Sequence, residues 1–241
     1  DEPALYWRRN VAESISLFET LSDLGVENAV FSSSAAVYGD PIEIPIPENH
    51  PKAPTSPYGN TKMVVEMVLE DLSAAGRLEA VSLRYFNAAG ATDRRRERHD
   101  PETHLIPLAL RAARQGTPMM VFGTDWPTPD GTAVRDYIHV SDLASAHVRA
   151  IDYLRGGGAT TALNLGVGHG ASVREVLTTT EAVTGLPIDA VESPRRAGDP
   201  AVLVAASDRA GSVLGWSPGT TDLGEIVESA WRWEADGPPS Q

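Results

Sequence analysis

Tyr58-Gly59-Asn60-Thr61-Lys62 sets a phenol and an amine four residues apart. On a helix that spacing puts both side chains on one face, one turn apart. An ammonium beside a phenol favours the phenolate and lowers its pKa from about 10. Tyr58 would then serve as a base near neutral pH. Lys52 and Lys62 are the two lysines among 20 basic residues, so few amines are open to such a role. None of the other five tyrosines has a lysine four positions on. A second polar set, Ser32-Ser33-Ser34, follows the apolar run Ala29-Val30-Phe31. A hydroxyl at the carboxyl end of a sheet strand lies where open α/β folds bind ligands. Ser34 can there bond a substrate hydroxyl and relay its proton to tyrosine.

Strand-like and helix-like stretches alternate along the chain and would position these groups. Helices are expected over Asn10–Leu24, Tyr58–Ala75, His104–Arg114, Ser141–Leu154, Ser172–Val183 and Leu223–Trp233. Ser172 suits an N-cap. Strands are expected over Ala29–Phe31, Ala80–Tyr85, Met119–Phe122, Val134–Val140 and Ala162–Leu165. This order implies βαβ units and a mostly parallel sheet. The expected fold is α/β: a Rossmann-like, doubly wound parallel sheet lacking its first strands, with a smaller C-terminal α/β lobe. The division is expected at 1–92 and 93–241, with later segments returning to the first part. A Rossmann domain opens with strand, glycine-rich turn and helix, and no such unit precedes Asn10. Gly166-Val167-Gly168-His169-Gly170-Ala171 fits the glycine pattern, but lies late in the chain and reads as structural.

Composition sets further bounds. A net charge of −13 argues against nucleic acid and anionic membrane as partners. The absence of cysteine excludes disulfides and thiolate chemistry. No apolar run is long enough for a membrane span, and no leader pattern opens the chain, so a cytoplasmic location is expected. The six histidines show no metal-ligand spacing, and no metal is expected.

Three segments occur in one order: Phe31-Ser32-Ser33-Ser34-Ala35-Ala36-Val37-Tyr38-Gly39-Asp40, Ser56-Pro57-Tyr58-Gly59-Asn60-Thr61-Lys62 and Leu83-Arg84-Tyr85-Phe86-Asn87. They continue into Asp130 to Val140, Asn164-Leu165-Gly166 and Arg195-Arg196-Ala197-Gly198-Asp199. With these segments the chain resembles the extended short-chain dehydrogenase/reductase superfamily. Within its epimerase/dehydratase family it is most similar to the NAD-dependent 4-epimerases of UDP-hexoses, isomerases of galactose metabolism.

The resemblance implies Tyr58 as catalytic base, Lys62 as its activator and cofactor ribose ligand, and Ser34 as hydroxyl relay. It places Asn10, Ser32, Ser33, Tyr85 and Phe86 with Tyr58 and Lys62 around NAD. It assigns Ser34, Asn87, His104, Leu105, Val121, Phe122, Arg135, Arg196 and Asp199 to the UDP-sugar. Arginine suits the diphosphate because it offers a cation with fixed, paired donors. Asp136 and His139 read as structural. The implied assembly is a homodimer pairing Asn10–Leu24 and Tyr58–Ala75. Nucleotide-sugar dehydratases place an Asp-Glu step after the strand-end hydroxyl, where this chain has Ala35-Ala36. Other reductase, dehydratase or epimerase relatives, or a UDP-sugar-binding chain without activity, are the alternatives. The missing glycine-rich segment would leave the NAD pyrophosphate without a site, so little turnover is expected of this chain by itself.

Overall fold

The computed structural model describes residues 2–196 and 198–236. The chain forms two compact units. Unit 1 comprises the residues up to Phe86, then Ala144–Leu165 and Ala205–Ser217. Unit 2 comprises Asn87–Leu143, Gly166–Val204 and the residues from Pro218 onward.

Unit 1 is built on a three-stranded parallel sheet of β1 (Asn28–Ser34), β2 (Glu79–Tyr85) and β7 (Thr161–Leu165), with β2 in the centre. Five successive residues of β2, Ala80 to Arg84, are buried, as a parallel strand covered on both faces requires. In β1 the alternation sends Ser33 inward and leaves Ser32 and Ser34 on the other face. The register sets Ser34 beside Tyr85, and Tyr85 beside Leu165, at one end of the sheet.

Helix α3 (Pro57–Ala74) begins cleanly. The Ser56 hydroxyl accepts from the Gly59 amide, and Pro57 occupies the first turn, where its missing N–H costs nothing. It packs Val65 and Leu69 against Phe18, Ala29, Leu78 and Ala80. Gly59 is required: a Cβ there would lie 2.4 Å from the Ala36 carbonyl oxygen. That contact seats the start of α3 on the 3-10 turn Ala35–Val37, directly after Ser34.

The opening helix is longer than its periodicity suggests. It starts as α1 (Pro3–Tyr6), widens into a π-helical turn over Trp7–Ala12, and continues as α2 (Glu13–Asp23). The i→i+5 turn breaks the 3.6-residue repeat, which hid the first part.

A buried ionic set ties β1, β2 and α3 together. Arg84 donates from Nε and Nη2 to the two Glu66 oxygens at 2.9 and 2.7 Å. The Ser33 hydroxyl donates to Glu66 Oε1 at 2.6 Å. Arg84 Nη1 donates to the Tyr38 hydroxyl at 2.8 Å, which donates onward to Asn164 Oδ1 at 2.7 Å. The doubled, planar bond is the geometry in which a buried guanidinium–carboxylate pair offsets its desolvation.

Unit 2 carries short paired strands with helices between them. Strand β3 (Asn87–Ala89) pairs with β6 (Tyr137–His139), and β4 (Met119–Phe122) with β9 (Ala190–Ser193), both parallel. Strand β5 (Val134–Arg135) lies between β8 (Ala171–Ser172) and β10 (Val202–Leu203). Helices α4 (Leu105–Gln115), α6 (Val173–Thr184) and α8 (Leu223–Asp236) bury Ile106, Leu110, Val176, Ile226 and Val227 together. Ser172 caps α6 in a reciprocal box with Glu175. Helix α7 (Asp208–Leu214) and most of α5 (Val140–Arg155) belong to unit 1.

The single strand expected over Val134–Val140 is two strands, broken at Asp136. The reason is the buried Asp136 carboxylate, which accepts from the Val167 and Gly168 amides at 2.8 and 3.1 Å. Its backbone also changes partners there, bonding Leu203 and Asn87. The glycine-rich turn after β7 is therefore anchored by Asp136, in keeping with a structural role for both. His139 is likewise engaged: its Nδ1 accepts from the Ser141 amide, and its Nε2 lies 3.1 Å from the Ser229 hydroxyl.

Candidate active site

In unit 1 the carboxyl ends of β1 and β2 and the first two turns of α3 converge on one polar set. Ser34 ends β1 and Tyr58 stands in the first turn of α3. The Ser34 hydroxyl lies near enough to the Tyr58 phenol to favour its ionised form. Tyr58 is 39% exposed, and Tyr6 packs edge-on against its ring, with centroids 6.4 Å apart. Lys62 lies one turn further. Its Nζ donates to the Ser32 carbonyl at 2.8 Å and stands 5.5 Å from the Tyr58 ring centre and 4.9 Å from that of Phe31. Tyr85 donates to the Ser32 hydroxyl at 2.9 Å, and its oxygen lies 2.6 Å from His147 Nε2. Asn10 Nδ2 donates to Thr61 Oγ1 at 3.1 Å, on the same helix as Tyr58. Phe86 follows β2, its amide bonded to the Leu165 carbonyl.

The electrostatics differ from the expectation. Burial pushes the Tyr58 phenol above its ordinary value, and the Ser34 hydroxyl only partly opposes that rise. Burial also lowers the Lys62 ammonium. The lysine amine points to a backbone carbonyl, so in this state it does not bring the phenol pKa down. Burial raises Tyr85 as well.

Two expected side chains are turned away from any ligand. The Ser33 hydroxyl is buried and committed to Glu66. The period of two along β1 explains this, so only the Ser33 backbone can meet a cofactor. Val121 is packed with Ala109, Ala112, Met119 and Leu177, so only its backbone can meet a substrate. Leu105 leans into the same core.

The expected nucleotide residues stand in unit 2. The Arg196 guanidinium lies over the Phe122 ring at 3.9 Å, an aromatic–cation stack at the end of β4. Gly198 has φ +84°, and the Asp199 amide donates to the Arg196 carbonyl at 3.4 Å. Arg195 goes elsewhere: it stacks on Trp126 at 4.0 Å and pairs with Asp125 at 2.7 Å. Arg135 donates to the Val134 carbonyl at 2.8 Å. Burial pushes its pKa down, against the pull of the Asp199 carboxylate. Asn87 opens β3, its amide bonded to the Asp136 carbonyl. His104 stands at the N-cap of α4, with Nδ1 2.9 Å from Glu102 Oε1.

An α/β fold with a tyrosine in the first turn of a helix, a lysine one turn on and a strand-end serine has the arrangement expected of an extended short-chain dehydrogenase/reductase. Comparison with known proteins agrees. The family model described as "NAD dependent epimerase/dehydratase family" matches residues 1–166, and the chain belongs to that family. It is 50% identical over 236 residues to the UDP-glucose 4-epimerase of Corynebacterium glutamicum, covering 97% of this chain and 71% of that protein. The UDP-glucose 4-epimerase of Brucella ovis, solved in complex with NAD, superposes with a TM-score of 0.92 at 44% identity, over 95% of this chain and 71% of the other. The enzyme of Bifidobacterium longum, solved with NAD+ and UDP, gives 0.90 at 36% identity, over 98% and 72%. The chain thus spans a little over two thirds of the length of these relatives.

The donor set fits the ribose end of NAD. An ammonium has three donors, and Lys62, with the hydroxyls of Tyr58 and Ser32, offers contacts for ribose hydroxyls at the carboxyl end of parallel strands.

Proposed function

We propose that the protein interconverts UDP-glucose and UDP-galactose at C4 through a 4-keto sugar. The observation that carries this reading is the convergence of the strand-end Ser34 on the Tyr58 phenol, with the Lys62 amine one helical turn away and 5.5 Å from the Tyr58 ring centre. When bound, NAD supplies a hydride acceptor and a positively charged ring. Tyr58 accepts the proton of the sugar 4-hydroxyl, directly or through Ser34, and returns it when the hydroxyl re-forms. Lys62 orients the cofactor ribose and adds a positive charge near the phenol. Ser34 holds the reacting oxygen. Burial raises the Tyr58 phenol pKa, and a positive charge placed beside it would favour the phenolate. Because C4 loses and regains a hydride while its oxygen loses and regains a proton, the reaction balances with no net redox change.

In unit 2, Arg135 and Arg196 suit the diphosphate and the Phe122 face suits the uracil or ribose. Asp199 suits the ribose hydroxyls. Asn87 and the backbones of His104, Leu105 and Val121 complete this proposed set. Ala35 and Ala36 supply no acid–base pair, which favours epimerisation over dehydration.

A homodimer through α2 and α3 is also proposed. Both carry large apolar side chains in water, Leu17 at 54% and Met67 at 50% exposed; sedimentation tests this. Among the described residues no helix is long and apolar enough to cross a membrane. A cytoplasmic location is proposed from the dependence on NAD and UDP-sugars.

The decisive experiment is Tyr58→Phe in a protein carrying the whole chain. UDP-galactose turnover should fall by about 10²-fold or more, while UDP affinity and the unfolding midpoint stay unchanged. Turnover at the parental rate would overturn the assignment.

A further inference from the structure

The segment leading into α4 gathers four side chains that the proposed reaction does not need together. Glu97, His99, Glu102 and His104 each present a ligand atom, and these atoms lie within 4.8 Å of one another. Glu97 Oε1 is 2.7 Å from His99 Nδ1 and 3.0 Å from His104 Nδ1. His104 Nδ1 is also 2.9 Å from Glu102 Oε1. The two imidazoles stand with centroids 4.9 Å apart. We propose that Glu97, His99, Glu102 and His104 bind one divalent transition-metal cation, best matched by Zn2+, which fastens this segment to the start of α4.

Ligand chemistry selects the ion. Two imidazole nitrogens with two carboxylates suit zinc, whereas magnesium and calcium prefer all-oxygen sets. With bonds of about 2.0–2.2 Å, ligands at the corners of a tetrahedron lie about 3.3–3.6 Å apart. The separations of 2.7, 2.9 and 3.0 Å are shorter, and all the ligand atoms lie within 4.8 Å, so a cation enters once the side chains part by about half an ångström.

Both rings aim Nδ1 at the same carboxylate oxygen, Glu97 Oε1, so the ligand atoms converge on one point. A cation uses neutral rings and offsets the two carboxylates.

The surroundings are already built for a ligand set. The Glu102 side chain is 4% exposed, and its Oε1 accepts from the Thr103 and His104 amides, at 2.7 and 2.8 Å. Such outer contacts fix a ligand's orientation before a metal arrives. The other end of the segment is tied down separately. Trp233 Nε1 donates to the Thr92 carbonyl at 2.6 Å, and Arg96 pairs with Glu234 at 2.9 Å. A metal would close the segment at its second end. The spacing Glu97-x-His99-x-x-Glu102-x-His104 carries this signal in the sequence, but it shows only when glutamates are read with the histidines.

The test is independent of the epimerase reading. Chelator-treated protein is titrated with Zn2+ by calorimetry and with Co2+ by visible absorption. The expected result is one ion per chain, a tetrahedral Co2+ spectrum, and an unfolding midpoint that rises with Zn2+. His99→Ala and Glu97→Gln should each weaken binding at least tenfold and abolish the rise, while their metal-free midpoints match the metal-free parent. The absence of stoichiometric binding would overturn the proposal. So would binding that either substitution leaves unchanged.

Discussion

The two faces of strand β1 carry opposite kinds of polar chemistry. Inward, Ser33 meets Glu66 and Arg84, which are 1% and 3% exposed, and each bond is answered by another. Outward, Ser32 and Ser34 meet Tyr85, Tyr58 and Lys62, and Tyr58 is 39% exposed. The inner set is saturated and the outer set keeps donors and acceptors for a ligand. The inner set holds β1, β2 and α3 in register, which is what the outer set needs to keep Ser34 within reach of Tyr58. A one-residue slip of β1 would exchange the two faces.

The comparison is broken most severely at Glu66. Glu66→Ala would leave Arg84 buried beside no carboxylate. Losing one partner of a buried pair costs about 3–5 kcal/mol. Chemical denaturation should show that loss. An effect below about 1 kcal/mol would mean that the inner set does not hold the sheet.

Acid acts on the same carboxylate more gently. Burial raises the Glu66 pKa, but the hydrogen bonds and charge of Arg84, with Ser33 and Lys52, outweigh it and hold the group below its usual range. A depressed carboxyl stabilises the fold above its unfolded pKa, about 4.3, and that stability is lost as pH falls through the folded value. The denaturation midpoint should therefore drop as pH falls below about 4.3, and Glu66→Gln should flatten the drop. An unchanged slope in that variant would assign acid sensitivity to other carboxylates.

Much of this was legible in the sequence. Helix α3 lies within a residue of its expected limits because Ser56, Pro57 and Gly76 punctuate it, and β4 matches because turn residues bound a short apolar run. The nearness of Lys62 to Tyr58 and the place of Ser34 at a strand end were legible from spacing. The electrostatics were not. Spacing brings the lysine near the tyrosine ring, yet only the fold shows the amine turned to the Ser32 carbonyl and the phenol held up by burial. Ser33 and Ser34 look alike in a run of three serines, and the phase of the pleat alone separates them. Asp136 broke an expected strand because its partners lie about 30 residues away, at Val167 and Gly168.

The finest test exchanges those two neighbours. Ser33→Ala removes a buried hydrogen bond to a charged group, costing about 1.5 kcal/mol of stability, and should leave turnover near the parental rate. Ser34→Ala removes a bond to the reacting oxygen. One such bond of about 1.4 kcal/mol corresponds to a tenfold loss of turnover. Ser34 also accepts from the Ala36 amide at 3.2 Å, but water can replace that contact at a half-exposed position, so the stability cost is about 0.5 kcal/mol. Unfolding and turnover measured on the same two proteins should therefore rank them in opposite orders. If both variants lose stability alone, Ser34 belongs with the inner set and Tyr58 takes the sugar proton directly. If both lose turnover alone, the strand's two faces are not chemically distinct, and the inward placement of Ser33 no longer explains its role.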